Sequence, residues 1–201
     1  MSAVVHLVDD DNDVLVALGR ILRTEGFEVA ASRSTREFLD RYDPDLPGCI
    51  VLDLSMPEID GLQTQALLES RGIACPVIFL TGCGDVHSSV CAMKRGAIDF
   101  LTKPVEADAL VDAVARGLDL DRRVRVQAEE QCRAAMRFAA LTPREREVLH
   151  HVLAGRLNKQ IAADLGIVEK TIKVHRSHVM HKLGVRSVAE LVRLAERARV
   201  A

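Results

Sequence analysis

The sequence has few aromatic residues and no long apolar run. Its 201 residues include no tryptophan, one tyrosine and five phenylalanines, an aromatic content of 3%. So little aromatic surface argues against a platform on which the bases of a single-stranded nucleic acid stack. There is no stretch of about 18 uncharged apolar residues and no basic segment followed by an apolar one at the start, so we expect neither a membrane span nor a signal peptide. We therefore expect a cytoplasmic protein with no membrane partner.

Cysteine is also used sparingly. The five cysteines are odd in number and show no C-x-x-C spacing, which argues against a disulfide framework and against a zinc site. We expect most of them to be buried as small hydrophobic side chains.

The net charge is small overall but differs in sign between the two halves of the chain. The whole chain carries −2, whereas residues 1–120 hold 10 basic against 20 acidic side chains and residues 121–201 hold 17 against 9. The halves therefore carry −10 and +8. This asymmetry predicts two domains with different partners. The basic half is a candidate for nucleic-acid binding, although a basic face is also common on solvated surfaces.

Residues 1–120 alternate short apolar runs with amphipathic stretches. The predicted strands are AVVHLV, FEVA, CIVLDL, PVIFL and IDFL, and a helical pattern follows each of them. Continuous β-branched runs between helices are typical of parallel strands that are buried on both faces and joined by right-handed crossovers. The sequence predicts an α/β domain with a flavodoxin-like, doubly wound, five-stranded parallel sheet. Any site is expected at the carboxyl ends of its strands.

The strand pattern ends in the second half. Residues 121–140 contain neither glycine nor proline and predict a helical linker, whereas residues 141–201 predict an all-α domain of four short helices separated by turns that contain glycine. Thr142, Pro143 and Glu145 fit an N-cap, a proline at the first helical position and a capping box. The boundary between the two predicted domains falls in the linker.

Acidic side chains follow two of the predicted strands directly. Asp9 and Asp10 come after AVVHLV, and Asp53 comes after CIVL. Because the carboxyl ends of parallel strands share one edge of the sheet, these three carboxylates are predicted to lie close together, where they repel one another unless a cation lies among them. Oxygen ligands of this kind favour Mg²⁺ or Mn²⁺ over zinc.

A hydroxyl and an ammonium group are predicted at the same edge. Thr81 ends the fourth strand, and Lys103 closely follows the fifth. A metal ion, a carboxylate nucleophile, a hydroxyl and a cation together suit phosphoryl transfer to an aspartate, in which catalysis is mostly positioning and charge neutralisation. Each acid taken alone is explained as well by a helix cap or a solvated charge, and Asp11 or Asn12 is expected to cap the first helix. The combination carries the prediction.

The first half contains the pieces VHLVDDD, CIVLDLSMPEIDG and PVIFLTGCGDVHSSVCAMKRGAIDFLTKP. These pieces resemble the receiver domain of two-component response regulators, and the last of them is most similar to the FixJ subgroup. The resemblance implies that Asp53 is the phosphoacceptor. It also implies that Asp9 and Asp10 hold Mg²⁺ together with Asp53 and the backbone carbonyl of Ser55.

The same resemblance implies a switch. Thr81 and Lys103 would bind the phosphoryl group, and the Lys103–Pro104 peptide bond would be cis. A phosphoryl group carries a charge of roughly −2 and would pull Thr81 toward it, which leaves space that the switch residue Phe100 can occupy. Because Phe100 has no phenolic hydroxyl, its inward rotation would depend on packing alone.

The rearranged face is implied to be a dimerisation surface. It comprises the helix DVHSSVCAMKRG, the strand IDFL and the helix that follows. The candidate contacts are Val90, Lys94 and Asp99, with ordinary core packing as the alternative explanation for Val90.

The segment NKQIAADLGIVEKTIKVHRSHVMHKLG supplies the scaffold helix, the turn and the second helix of a helix-turn-helix. Gly166 is expected to make the turn. The residues expected to face inward are Ile161, Ala162, Leu165, Ile167, Ile172, Val179 and Leu183. The residues expected to face the major groove are Lys170, Lys173, Val174 and Ser177.

Other polar residues of the second helix have different expected roles. Arg176 and Lys182 are candidate phosphate contacts, which position a helix without reading sequence. His175, His178 and His181 spread over about 120° of arc, so they do not converge on one metal ion.

The markers TPREREVL, NKQIA, TIKVHR and KLGV resemble the LuxR-type helix-turn-helix domain. The resemblance implies groove contacts by Lys173, Val174 and Ser177, and it implies that the last helix, SVAELVRLAERA, dimerises on DNA. The full set of predicted DNA-binding residues is Lys170, Thr171, Lys173, Val174, Arg176, Ser177, His178 and Lys182.

The two resemblances together span nearly the whole chain, which is identified as a member of the FixJ/NarL-type response regulators. The implied function is that of a phosphorylation-switched transcription factor and not of an enzyme. The implied partners are a sensor histidine kinase, double-stranded promoter DNA and a second copy of the chain upon phosphorylation, with RNA polymerase as a further candidate.

The sequence leaves two other functions possible. One is a DNA-binding or interaction regulator that does not depend on phosphorylation. The other is an enzyme that forms an aspartyl phosphate, a phosphotransferase or a haloacid-dehalogenase-like phosphatase. That enzyme family places its nucleophile in a D-x-D-x-T/V pattern after the first strand, and VDDDND lacks this pattern.

Overall fold

The structure of the protein, a computed structural model, describes residues 3–82 and 96–200. It divides into two compact units, Met1–Arg125 and Val126–Ala201. The border between the units lies inside the segment 121–140 that the sequence predicts as a linker. Each unit has a hydrophobic core of its own.

The first unit is built on a five-stranded parallel sheet. Its strands are β1 (Val4–Val8), β2 (Glu28–Ser32), β3 (Gly48–Asp53), β4 (Val77–Thr81) and β5 (Asp99–Thr102). Their order in the sheet is β2-β1-β3-β4-β5, and every neighbouring pair is parallel. This confirms the predicted flavodoxin-like sheet. Strands β1, β3 and β4 are buried along their whole length, as continuous apolar runs predict.

Helices cover both faces of this sheet. They are α1 (Asn12–Thr24), α2 (Thr35–Arg41), α3 (Gly61–Ser70) and the part of α4 (Ala107–Ala139) that lies in the first unit. One core cluster includes Leu22, Val51 and Val114, and the other, on the opposite face, includes Phe38 and Phe79. The predicted helix DVHSSVCAMKRG lies, apart from its last residue, outside the described residues.

Helix α4 is continuous over 33 residues. It contains the last predicted helix of the first domain except Glu106, and all of the predicted linker except Ala140. The linker segment is therefore helical, as its lack of glycine and proline predicts.

The second unit is all helical beyond α4, as predicted. Its helices are α5 (Pro143–Leu153), α6 (Asn158–Asp164), α7 (Glu169–Leu183) and α8 (Val188–Ala198). Ile161, Ile172 and Leu183 are fully buried in its core. Gly166 follows α6 with a φ of 64°, a left-handed conformation that glycine adopts without steric cost, and it makes the expected turn.

The local capping predictions are also confirmed. Thr142 caps α5, and its hydroxyl accepts from the backbone N–H of Glu145, whose side chain accepts from the Thr142 backbone N–H in return. Asp11 caps α1 and accepts from the backbone N–H of Asp13.

The expectations on cysteine burial and on membrane-spanning helices can be compared with the described residues. Of the cysteines that the structure describes, Cys49 is buried, Cys75 is half-buried and Cys132 is exposed on α4, whereas Cys83 and Cys91 lie outside the described residues. In the part of the chain that the structure describes, no helix combines the length and the apolarity that a bilayer crossing needs.

Candidate functional site

Three carboxylates converge at the carboxyl edge of the sheet in the first unit. Asp9 directly follows β1, Asp10 comes next, and Asp53 is the last residue of β3. Each offers an oxygen that lies within 4.8 Å of the oxygens of the other two. Asp9 and Asp53 are buried, whereas Asp10 is exposed. The adjacency of β1 and β3 in the sheet produces this convergence, as the sequence predicts.

Lys103 supplies positive charge to the same place. Its Nζ lies 2.6 Å from Oδ2 of Asp9 and 2.8 Å from Oδ1 of Asp53. The residue follows β5, and the Lys103–Pro104 peptide bond is cis, as the receiver resemblance implies. The ammonium therefore bridges two carboxylates that would otherwise repel each other.

Backbone amides occupy the remaining oxygens of the buried pair. The N–H of Asp11 donates to Oδ1 of Asp9 over 3.0 Å, and the N–H of Ser55 donates to Oδ2 of Asp53 over 3.1 Å. These bonds fix the two carboxylate planes. The Ser55 bond also holds the loop after β3 close to Asp53.

The pKa values of this cluster reflect burial and pairing. Burial raises the pKa of the Asp9 carboxyl, and the hydrogen bonds from Lys103 and Asp11 oppose that shift only in part. Burial by itself lowers the pKa of Lys103, but its hydrogen bonds to Asp53 and Asp9 outweigh this effect and leave the pKa raised. Lys103 is therefore charged at neutral pH.

The donor set fits a hard divalent cation. Three carboxylates that share one small region are the oxygen ligands that Mg²⁺ and Mn²⁺ prefer. The exposure of Asp10 leaves one side of the cluster open to water, which suits an ion that keeps part of its hydration shell.

Thr81 and Phe100 lie on neighbouring strands near this cluster. Thr81 is buried at the end of β4, and its hydroxyl donates to the carbonyl of Gly82 over 2.9 Å. Phe100 on β5 is half-buried, with its ring centroid 5.8 Å from that of Phe79. The structure therefore places Thr81 on β4, the strand next to β3, and Phe100 on β5, the strand next to β4.

The predicted dimerisation contacts are described only in part. Val90 and Lys94 lie outside the described residues. Asp99 is at the start of β5, where its carboxylate forms an ion pair with Arg116 of α4. Dimerisation through this face stays a prediction.

The second unit presents the predicted DNA-binding face on α7. Lys170, Lys173, Ser177 and His178 are exposed, and Val174 is 47% exposed. Thr171 is half-buried. The inward side of the same helix is formed by the buried residues Ile172, Val179 and Leu183, so the predicted division of α7 into two faces is confirmed.

Both predicted phosphate contacts have protein partners. Arg176 donates to Oδ1 of Asn158 at 2.9 Å, and Lys182 donates to Oε2 of Glu145 at 2.7 Å. The sequence did not predict these partners, because Asn158 lies 18 residues from Arg176 and Glu145 lies 37 residues from Lys182 in the chain. No local pattern signals such a pairing.

Both helices of the helix-turn-helix begin without a polar cap. Leu157 precedes α6 and Val168 precedes α7, and neither side chain can accept a hydrogen bond. They are 69% and 68% exposed. Gln160 accepts from the Leu157 backbone N–H over 2.9 Å, which is half of a capping box.

Two family models match the chain. The first, a response regulator receiver domain, matches residues 5–115. The second, bacterial regulatory proteins of the luxR family, matches residues 139–195. The first contains the carboxylate cluster and Lys103, and the second contains α5 to α7.

The chain is similar over nearly its full length to curated proteins and to a solved structure. It is 42% identical over 195 residues to nodulation protein W of Bradyrhizobium diazoefficiens, covering 97% of this chain and 86% of that protein. It is 42% identical over 200 residues to the transcriptional regulatory protein FixJ of Azorhizobium caulinodans, covering 100% and 95%. The structure of the response regulator StyR superposes with a TM-score of 0.89 at 44% identity, covering 98% and 100%.

Proposed function

The chain belongs to the FixJ/NarL-type two-component response regulators, transcription regulators that join a receiver domain to a LuxR-type DNA-binding domain, and from this premise we propose that Asp53 is its phosphoacceptor. The observation that carries the proposal is the buried Asp53 carboxylate, which is paired with Lys103 and grouped with Asp9 and Asp10. Phosphoryl transfer to an aspartate needs positive charge around the transferred group, which Lys103 supplies directly and which the neighbouring carboxylates would supply by holding a divalent cation.

The residues of the cluster have separate proposed roles. An oxygen of Asp53 attacks the phosphorus of a phosphohistidine in the sensor kinase, the P–N bond breaks, and its electron pair returns to the imidazole. Lys103, which pairs with Asp53 at 2.8 Å, stays close enough to neutralise the transferred group. The outcome is an aspartyl phosphate held beside an ammonium.

Asp9, Asp10, Asp53 and the Ser55 carbonyl are the proposed ligands of Mg²⁺ or Mn²⁺. The bound ion would supply the positive charge that offsets the carboxylates and the phosphoryl oxygens. The convergence of three carboxylate oxygens within 4.8 Å supports this ligand set.

Thr81 and Phe100 are the proposed switch. The Thr81 hydroxyl now donates to the carbonyl of Gly82, and it would exchange this acceptor for a phosphoryl oxygen. Phe100, half-buried against Phe79, would then pack into the space that Thr81 leaves. The change on β4 and β5 would alter the face that carries Asp99, through which we propose that the phosphorylated chain dimerises.

The proposed output is binding to double-stranded promoter DNA. Lys170, Lys173, Val174 and Ser177 would face the major groove, while Arg176 would lie near a phosphate. Thr171 and His178 border this face. A transcription regulator of this kind acts in the cytoplasm, with the sensor kinase and RNA polymerase as its protein partners.

The proposal is tested by labelling the chain with radioactive acetyl phosphate in Mg²⁺. The wild-type chain is expected to take up label to a stoichiometric level, and Asp53→Asn to take up none. Asp40→Asn, which changes an exposed carboxylate on α2, is the matched control and should label like the wild type. Stoichiometric labelling of Asp53→Asn would refute the assignment, and steady turnover of a phosphate ester would favour an enzyme instead.

A further inference from the structure

A buried carboxylate holds one end of the recognition helix α7. Lys182 lies in the last turn of α7, and its Nζ donates to Oε2 of Glu145 at 2.7 Å. The Glu145 side chain is 5% exposed and the Lys182 side chain is 38% exposed. Glu145 lies in the first turn of α5, so the pair joins the start of one helix to the end of another.

The Glu145 oxygen that accepts from Lys182 has further donors. The backbone N–H and the hydroxyl of Thr142 donate to it over 2.8 and 3.0 Å. The hydrogen bonds from Lys182 and then from Thr142 lower the pKa of Glu145 to about 2. The carboxylate is thus fully charged at neutral pH, and it is held in one position.

The other lysines of α7 differ from Lys182. Among the residues that the structure describes, Lys173 pairs with the exposed Glu169 alone, at 3.3 Å. For Lys170, which is exposed, no carboxylate of the described residues lies within ion-pair distance. Lys170 and Lys173 therefore present their charge to solvent, whereas the charge of Lys182 is balanced by a buried partner.

The apolar core and the ion pair constrain α7 in different ways. Val148, Val179 and Leu183 pack between α5 and α7, but apolar contact is not directional. A charge-assisted hydrogen bond has a defined distance and angle. The Glu145–Lys182 bond therefore adds a directional constraint at the C-terminal end of α7, the helix that carries Lys173 and Val174.

We propose that Glu145 and Lys182 are positioning residues for DNA recognition, and that Lys182 acts by orienting α7 instead of by contacting a phosphate. The inference rests on the proposed DNA-binding function of α7. It assigns a role in DNA recognition to Glu145, an acidic residue that does not itself bind the phosphates of DNA because its charge has the same sign.

The substitution Glu145→Gln distinguishes a phosphate contact by Lys182 from a positioning role, because the two roles predict opposite changes in DNA affinity. Glutamine at this position still suits a capping box, so the substitution removes the ion pair and keeps the cap. If Lys182 contacts phosphate, Glu145→Gln frees its ammonium and DNA affinity rises. If the pair positions α7, DNA affinity falls, by about tenfold if one base contact is displaced.

The salt dependence of Lys182→Gln gives a second readout. Each phosphate contact contributes about 0.9 to the slope of log K against log salt. We expect Lys182→Gln to weaken binding with an unchanged slope, and Lys182→Arg to restore affinity. Lys170→Gln is the matched control. Its loss of an exposed positive charge from the proposed DNA-binding face should reduce the magnitude of this slope by about 0.9.

The experiment measures fluorescence anisotropy with the full phosphorylated chain and a duplex that the wild-type chain has selected from genomic fragments. Circular dichroism verifies that each variant is folded, and labelling of Asp53 verifies that each variant is phosphorylated to the same extent. A rise in affinity for Glu145→Gln, or a lower slope for Lys182→Gln, would overturn the positioning role alone. Failure of the wild-type chain to select any duplex would overturn the DNA-binding function and this inference with it.

Discussion

Arg125 and Asp121 form an ion pair in the first unit, with Nε of Arg125 2.8 Å from Oδ2 of Asp121. Asp121 is buried and also accepts from the backbone N–H of Gly48 over 3.0 Å. Arg125 donates in addition to the carbonyls of Pro44 and Leu46 over 3.0 and 2.7 Å. These bonds attach the early part of the predicted linker to the loop before β3.

Removal of Arg125 should destabilise the first unit. In Arg125→Met the buried Asp121 carboxylate keeps only the Gly48 donor among the described residues. A lost hydrogen bond to a charged group costs about 1.5–3 kcal/mol, so we expect a decrease of that size in the free energy of unfolding. Urea titration of the full chain measures it.

The double variant Asp121→Asn/Arg125→Met is the control for this prediction. The asparagine carbonyl still accepts from Gly48 without carrying a charge, so the double variant should recover part of the lost stability. If the loss in the double variant equalled the sum of the losses in Arg125→Met and in Asp121→Asn, the two side chains would not interact.

Removal of Lys103 should strengthen metal binding. Its ammonium lies 2.6 and 2.8 Å from Asp9 and Asp53, so it competes with a cation for the same carboxylates. In Lys103→Met this competition is gone, and we expect about tenfold tighter binding of Mn²⁺, a difference of about 1.4 kcal/mol. Isothermal titration calorimetry with Mn²⁺ measures the change, and Lys159→Met, which alters an exposed lysine of α6, is the control. Unchanged or weaker binding in Lys103→Met would contradict the shared site.

Stability should fall below about pH 6.5 because of His6. This residue is buried in β1 beside the rings of Phe38 and Tyr42, at centroid distances of 5.3 and 5.4 Å. Burial lowers the pKa of His6 below 6.5. The unfolded chain therefore binds more protons than the folded one in that range, and stability decreases as the pH falls from 6.5 toward the folded-state pKa.

The measurement is the urea midpoint of the first unit between pH 7.5 and pH 5. The variant His6→Phe should show a smaller decrease over this range than the wild type. Tyr42→Phe changes the same ring cluster but retains His6, so it should keep the wild-type pH dependence. Equal pH dependence in His6→Phe and the wild type would refute the role of His6.

A polar cap before α6 should stabilise the second unit. Leu157 cannot accept from the N–H groups of the first turn, although Gln160 already accepts from the Leu157 N–H at 2.9 Å. Leu157→Ser would complete the capping box and is expected to stabilise the unit by about 1 kcal/mol. Hydrogen exchange of the α6 amides in the full chain reports the gain.

Leu157→Ala is the matched control for the cap. It removes the same exposed apolar side chain and supplies no acceptor. Slower exchange in the serine variant than in the alanine variant supports the cap, and equal rates in the two would rule it out.

Much of the fold and of the carboxylate site follows from local patterns in the sequence. Continuous apolar runs predict buried parallel strands, and the strand ends bring Asp9, Asp53 and Lys103 to one edge, because a parallel sheet has all its carboxyl ends on the same side. The capping box of Thr142 and Glu145 is likewise written within four consecutive residues. Such features depend on neighbours in the chain, so periodicity and capping preferences reveal them.

The sequence by itself thus determined the two domain types, the acidic cluster and the exposed face of α7. Only the tertiary structure decided which side chains pair across the fold. Asp121 meets the backbone of Gly48 over a separation of 73 residues, and Lys182 meets Glu145 over 37. Both pairs depend on how helices pack, and a charged residue has the same local pattern whether it is solvated or buried beside a partner. For that physical reason Lys182, predicted from its helix face to bind phosphate, is found to be held by a carboxylate that the same pattern marked only as a cap.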